Sequence, residues 1–549
     1  MTKKISYEIK NVSELEHIAT RLSELYNSLL SDLDDIGINV TGIGEQLVYD
    51  SRQPLLFNTG LFIVLFAMFM ILYRMLRPWR AARMIFTIAF SIYFYYKASG
   101  ECCLILIGVA LSDYLLGLCM QKARTLTRRR ITVMRTIVTL NVTVNICLLA
   151  YFKYFGLMIE TINSFFTAHI ETNNVILPAG ISFFTFRSIS YIVDIYRGQI
   201  QACRNPLDYL FFLTFFPPLL AGPVVRAKDM LPQIKSNPVP SRDMTSEGIY
   251  LIILGIIKKM VIADFISGNF VDRVFDNPAL YSGFENLMAS IGFTIQLYCD
   301  FAGYSDIAIG IALLLGYRFK ENFNAPFKAS NPTEFWHRWH ISLSTWLRDY
   351  IYIPLGGNRC SRPRAYFNQF ATMVIGGFWH GASWMYVIWG AAHGTLLVIH
   401  KMLRNAIPAT SATETVVTES GEIEVVTVPS RFAPVTKCFN MVFTFLLIAA
   451  AFMLFRARSL DEVGMMWHQM IFDFHLSVAP EFISSYLTIV LAMAAGYIVH
   501  MLPSKITDPL KQGFMNAPVI LQALLLAIAL FIAIQVRSSD IVPFIYLQY

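Results

Sequence analysis

The stretch NPTEFWHRWHISLSTWLRDYIYIPLGGNR (residues 331–359), followed by ATMVIGGFWHGASWMYVIWGAAHGTLLVIH (371–400), sets the terms on which the chain folds. An aromatic segment carrying two histidines runs through a basic connector into an apolar run carrying more. A charge or an imidazole at bilayer depth is costly, so a cluster of them there marks function by default. Read as one helix from Pro332 to Tyr350, the first half gathers Trp336, Trp339, Leu343, Trp346, Leu347 and Tyr350 within a sector of roughly 100°. His337, His340, Ser344 and Arg348 fall on the adjoining face. Asn331 or Thr333 is placed to cap the start, with Pro332 in the first turn. Such a helix suits an interfacial or re-entrant position, indoles toward lipid and imidazoles toward protein. The competing reading is a tryptophan-rich interface anchor whose histidines are incidental.

In the second half, His380 sits in Gly376-Gly377-Phe378-Trp379-His380-Gly381-Ala382-Ser383. Glycines on both sides let another backbone or a substrate come close. A neutral imidazole sheltered from bulk water is fitted to act as a general base; the alternative is a packing histidine bonded to a carbonyl. His393 lies in Gly390-Ala391-Ala392-His393-Gly394, a small-residue pattern for which helix packing is the preferred reading. Glu334, His337 and His340 recur every three residues like a ligand row, but HExxH is absent and a further ligand would be needed, so no metal is expected. Ser305 lacks the last glycine of a nucleophile elbow, and no GxGxxG or Walker loop occurs.

Outward from this region the chain is apolar. Of 549 residues, 55% are hydrophobic and only 15% charged, which departs from soluble composition in both respects. Long apolar runs recur from about Leu55 onward, so the fold class is an all-α polytopic membrane protein. The runs fall near 55–73, 84–96, 102–120, 136–158, 176–195, 207–222, 247–266, 285–316, 366–378, 384–402, 436–455, 482–501 and 517–537, predicting about 11–12 transmembrane helices plus re-entrant pieces around a central funnel or tunnel. Pro178, Gly180, Pro217, Pro218, Gly222 and Pro223 interrupt several of them, and broken helices at membrane depth are tolerated where they are buried in protein or line a cavity. The net charge of +7 resides in short loops, which speaks for topology and against a nucleic-acid partner. Two arginine-rich loops (Arg74–Arg83 and Lys122–Arg135) are expected on the cytoplasmic side, which places the N-terminus outside. Eight cysteines show no CxxC pair and read as small packing residues.

Residues 1–50 differ from the rest. Val12, Leu15, Ile18, Leu22, Leu25, Leu29 and Leu33 recur at helical spacing among acidic residues, predicting a polar amphipathic-helix extension that folds on the membrane domain or recruits a partner. The stretch is polar throughout, with no cleavable signal. The domain proper is expected over 51–549, with 405–435 an extramembrane loop that forms a small hairpin or stays irregular. Two polar runs lie inside apolar sequence. Asp300 and Asp306 need buried partners, for which Lys258, Arg226 and Arg318 are candidates, and Lys258-Lys259 with Asp264 suggests an ion pair.

With these residues in view, the chain resembles the membrane-bound O-acyltransferases, and within them the branch of bacterial alginate O-acetylation membrane proteins. The likeness runs along 176–198, FFPPLLAGPVVR (215–226), QLYCDFAGYSDIAIGIALLLGYRFKENFNAPF (296–327), 334–359, 376–394 and the ending SSDIVPFIYLQY (538–549). It leaves out residues 1–50 and 405–435. The resemblance implies that His380 is the essential histidine and that His340 occupies the second family position, an Asn, Asp or His in an F-W-x-x-W-x segment. Alginate-type members often carry Arg where this chain has His337. It further implies a multi-pass protein of the bacterial inner membrane, with a passage in which a cytoplasmic thioester (acetyl-CoA or an acyl carrier) meets a hydroxyl from the other face. No bound cofactor is expected. The acceptor would be an extracytoplasmic partner protein or a polysaccharide. Trp336, Trp379, Asn324, Arg348, His337 and His393 are expected to line the passage. Rival readings are D-alanyl transfer to teichoic acid, acylation of lipid or protein, and a proton-coupled transporter, whose repeated halves are not found here.

Overall fold

A computed structural model describes residues 43–126, 128–166, 170–171, 177–406, 412–417, 423–428 and 433–536, with residues 21, 28 and 544. The extension expected over residues 1–50 lies almost wholly outside the described residues; Ile43–Leu47 forms one helical turn. The chain divides into two compact units, Met1–Leu104 and Ile105–Tyr549.

In the first unit, α1 (Gly60–Met75) and α2 (Arg80–Ser99) are consecutive helices. The Thr59 hydroxyl caps α1 by accepting from the Phe62 amide at 3.3 Å. Aromatic pairs join the two: Phe62 meets Phe94, and Phe69 meets Phe86 and Phe90. Lys97 donates to the Val48 carbonyl at 2.5 Å, which gives its buried ammonium an acceptor.

The second unit is built on a long helix. Its helices include α3 (Arg130–Leu149), α4 (Ile181–Arg197), α5 (Arg242–Ile256), α6 (Gly283–Leu314), α7 (Pro332–Arg338), α8 (Ile341–Leu347), α9 (Arg362–His380), α10 (Trp384–Ala406), α11 (Ala433–Arg456), α12 (Leu487–Met501) and α13 (Val519–Val536). Ser282 and Glu285 close a reciprocal capping box at the start of α6. Within its most apolar window 89% of α6 is buried, against 17% for α13, so α6 is the central pillar and α13 faces outward. Helices α5 and α6 pack backbone to backbone. A Cβ on Gly255 would lie 2.6 Å from the Gly303 carbonyl, and one on Gly248 would lie 2.8 Å from the Gly310 carbonyl. Only glycine fits either crossing.

The buried charges along this contact are answered. Lys258 pairs with Asp306 at 2.6 Å, and Lys259 bridges Asp264 at 2.8 Å and Asp300. Lys258 is thus the candidate that meets a carboxylate of α6, whereas Arg226 pairs with Asp349 and Arg318 with Glu247. Asp113 is enclosed by donors from Asn141, Ser188 and Tyr209. Within 405–435 the described residues form two strands, β1 (Ala412–Val417) paired antiparallel with β2 (Ile423–Val428).

Two expectations are revised. Among the described residues, five helical stretches are long and apolar enough to cross a membrane, or six if the pair bent by 95° at Tyr486 counts as one span. The fold is all-α and multi-pass as read, but the other apolar runs are shorter or broken. The run at 207–222 is helical only over Pro206–Thr214, and 176–195 yields the 17-residue α4 with Arg187 and Asp194 inside it. Arg187 is fully buried and donates to the carbonyls of Leu213 and Pro218, bracing the non-helical piece. Second, Pro332–Tyr350 is not one helix: it breaks at Trp339-His340 into α7 and α8.

Replacing Gly255 by Ala is expected to destabilise the protein by about 1–3 kcal/mol, because the obstructing atom is a backbone oxygen. Gly464→Ala, whose Cβ meets nothing within 4 Å, should be neutral or slightly stabilising. Thermal unfolding of the purified variants in detergent compares them.

Candidate active site

The break between α7 and α8 is made by His340, whose backbone is left-handed at φ 42 and ψ 55, a conformation that costs a non-glycine residue of order 1–3 kcal/mol. It persists because the preceding segment answers the groups it frees. The Ile341 amide donates to the Asn322 carbonyl at 2.9 Å, and the Asn324 amide donates to the Arg338 carbonyl at 2.9 Å. The Asn322 side-chain oxygen accepts from the Ser342 amide at 3.3 Å and the Ser342 hydroxyl at 2.8 Å, and lies 3.1 Å from His340 Nδ1. An amide N–H can only donate, so that atom is the carboxamide oxygen, and Asn322 Nδ2 is left to donate to Ser305 at 3.1 Å. The proton therefore sits on His340 Nδ1, by network assignment, and Nε2 carries the lone pair. Nε2 has no hydrogen-bond partner among the described residues, and the residue is fully buried.

His380 is the last residue of α9, with extended Gly381 after it. Its ring is buried between Trp389 (centroids 4.9 Å) and Phe455 (5.5 Å), beside Trp379 (5.0 Å). The His340 ring lies 6.2 Å from the same Trp379 ring, so the two imidazoles flank one indole. Trp379 stacks on Phe186, which stacks on Trp346 at 3.7 Å. The glycines before His380 do what their position suggested. Side chains at Gly377 or Gly390 would strike the backbone of the partner helix, and this close crossing of α9 with α10 holds His380 against Trp389.

The other residues singled out in the sequence are placed as follows. His393 is fully buried among Trp336 (5.2 Å), Trp389 (4.7 Å) and Phe452 (6.1 Å), and neither of its ring nitrogens has a hydrogen-bond partner among the described residues. The indole N–H groups of Trp336 and Trp389 are likewise buried and unpartnered. A chain of unsatisfied polar groups thus runs Trp336, His393, Trp389 toward His380. Such groups in a native interior call for water or ligand. His337 is exposed and, with Arg348, lines a cavity of about 430 Å³ reaching Trp336; His400, Lys401 and Arg404 line it too, and no carboxylate does. A second, apolar cavity of about 930 Å³ reaches Trp379 and Trp346. Neither lining includes His340 or His380, so the described cavities stop at the tryptophans on either side. Asn324 is exposed and lines neither cavity; its backbone carbonyl accepts from Arg338.

Glu334, His337 and His340 do not converge. Asn331 caps α7 by accepting from the Glu334 amide, and Arg338 takes the Glu334 carboxylate at 2.8 Å. Partial burial works to raise that carboxyl, but the Ser330 amide and the Arg338 guanidinium outweigh it and hold it below its ordinary range. No group of three metal-ligating side chains occurs among the described residues. Two residues of the site were missed in the sequence. Asn322 had no signal of its own beyond lying in ENFNAPF, the end of a stretch that carries the family likeness. Lys153 had one, a lone lysine in an apolar run, which by itself marks an intramembrane position for scrutiny.

Comparison with known proteins gives the lineage. The description "MBOAT, membrane-bound O-acyltransferase family" matches residues 202–419. A "Probable alginate O-acetylase AlgI" of Azotobacter vinelandii is 42% identical over 337 residues, 60% of this chain and 62% of that protein, so the chain spans under two thirds of this relative's length. The protein of the same name from Pseudomonas putida is 36% identical over 466 residues, 80% of this chain and 89% of the relative. A "Peptidoglycan O-acetyltransferase" of Helicobacter pylori is 36% identical over 382 residues, 64% and 71% of the two chains.

Replacing Asn322 by Ala removes the acceptor for the Ser342 amide and for His340 Nδ1–H. The expected cost is about 1–3 kcal/mol, that of stranding buried donors, read as a lowered unfolding temperature in detergent. An unchanged midpoint would mean that Asn322 does not hold the break.

Proposed function

The chain belongs to the membrane-bound O-acyltransferase family, and from that premise we propose that it moves an acyl group, acetyl in the simplest case, from a thioester donor to a hydroxyl of an extracytoplasmic polysaccharide or cell-wall glycan. The observation that carries this reading is the pair of buried imidazoles flanking Trp379, one of them presenting an unpartnered lone pair.

In the proposed step the acceptor hydroxyl loses its proton to His380 as its oxygen attacks the thioester carbonyl carbon. The tetrahedral intermediate then expels the thiolate, which takes the proton back from His380. Ester and free thiol are the products. A positioned base is worth about 10²–10⁴-fold. Of the roles considered for His340, its tautomer supports orienting the acceptor by taking a hydrogen bond from a second hydroxyl of the glycan, because the one proton of the attacking hydroxyl goes to His380. Stabilising the oxyanion would require a proton on Nε2. The donor-only indole of Trp336 suits that task.

The donor, acetyl-CoA or a carrier-bound thioester, is assigned to the cavity of about 430 Å³. Its lining carries Arg348, Lys401 and Arg404 without a carboxylate, which suits the anionic end of such a donor, while its inner wall is Trp336. Because the imidazoles lie behind tryptophans, substrates reach them when those side chains swing aside. The names of the relatives support the acceptor class, and an intermediary protein on the far side of a bacterial inner membrane fits the same scheme.

His380→Ala should lower glycan O-acetylation by about 10²-fold or more at normal membrane abundance. Normal acetylation in a folded variant would remove His380 from the mechanism. His340→Ala should lose activity comparably and His337→Ala much less; the reverse order would shift the second role to His337.

A further inference from the structure

Helix α9 ends at His380, and the last carbonyls of a helix have no amide four residues on to accept from. Here three consecutive carbonyls are taken by two consecutive residues of another element. The Tyr154 hydroxyl donates to Phe378 O at 2.8 Å, and Lys153 Nζ donates to Trp379 O at 2.7 Å and His380 O at 3.0 Å. The third ammonium proton points to the Ser182 hydroxyl at 3.4 Å. Lys153 and Tyr154 lie in the π-helical turn Ala150–Tyr154 that follows α3, a local widening found often at functional sites. Tyr154 also stacks on Phe378 at 4.1 Å, and the ammonium sits 5.9 Å from the Trp379 ring.

Capping alone does not call for a lysine. A glutamine or hydroxyl side chain can answer helix carbonyls, and a cation within apolar surroundings is costly. Half-buried Lys258 and buried Lys259 each meet a carboxylate, whereas half-buried Lys328 donates to the Leu502 carbonyl at 2.6 Å. The acceptors of Lys153 are two carbonyls and a hydroxyl, and the two carbonyls belong to the peptide units on either side of His380. The ammonium complements the negative end of α9, and two of its three hydrogen bonds fix the backbone from which the His380 imidazole projects.

We propose that Lys153 is the positioning residue of His380: its ammonium clamps the carboxyl end of α9 and so sets the direction of the base without touching substrate. This rests on the reading of His380 as the base. A displacement of about 1 Å at such a group costs on the order of 10²-fold in rate, which sets the scale of the test.

The full chain is produced in cells with Lys153→Met, Lys153→Gln, Lys153→Arg or His380→Ala. Membrane abundance, unfolding temperature and the initial rate of glycan O-acetylation are measured for each. Lys153→Met should fall by roughly 10²-fold. Lys153→Arg, which keeps a cation with several donors, should recover most of the loss. Lys153→Gln, a neutral cap, should hold abundance near normal and leave the rate low. A residue that only supports folding would show rate and abundance falling together, and equal rates per folded molecule in the Gln and Arg variants would overturn the proposal. Should Lys153→Met accumulate poorly, the Gln and Arg pair still decides. His380→Ala separates the two layers. An inactive His380→Ala beside a normal Lys153→Gln rejects only the positioning role, whereas an active His380→Ala rejects the base itself.

Discussion

Where a helix breaks inside a bilayer, the backbone groups it frees have no water to turn to, and the site depends on side chains that stand in for that water. Asn322 does so at the α7–α8 break, where it holds the Ser342 amide and the His340 ring. Lys153 and Tyr154 do so at the end of α9. Arg187 does so beyond Thr214, on the carbonyls of Leu213 and Pro218. In each case polar side chains distant in sequence hydrogen-bond the backbone groups that the interruption frees.

These interruptions place the two imidazoles. A histidine within a regular helix projects from the barrel among its neighbours, its direction fixed by the helix. At position 340 the left-handed backbone turns the chain, Nδ1–H is taken by Asn322, and the basic nitrogen is presented with no protein partner. At position 380 the helix stops on the histidine itself. The strain at His340 is of the kind that clusters at functional sites, and it is held by the bonds to 322–324 on one side and by the aromatic packing of Trp339 against Phe335 and Phe323 on the other.

The charges of the membrane unit divide by partner. Lys258, Lys259 and Asp264, just after α5, pair among themselves and with Asp300 and Asp306 of α6, and removing one member would strand another and destabilise the fold. Near the histidines the arrangement is different: Lys153 meets neutral acceptors, and Trp336, Trp389 and His393 keep unused hydrogen-bonding capacity in the dark.

Composition and periodicity by themselves determined the helical membrane class, because apolar runs of spanning length admit few other structures. The carboxylates of α6 announced their need of a cation, because a lone charge cannot stay buried. The glycines around His380 and before His393 announced a close helix crossing, since a missing side chain is visible in one dimension. The tertiary structure decided what depends on distant partners. The sequence showed an unbroken aromatic face from Trp336 to Tyr350, and only the segment at 322–324 explains why the chain turns at His340 within it. Lys153 was visible as an odd cation, but not that its acceptors lie more than two hundred residues away, on the carbonyls of the helix that ends in His380. Hydrophobic pattern is a local property and is written along the chain; the satisfaction of a freed backbone group is a meeting of two segments, and is settled only when they pack.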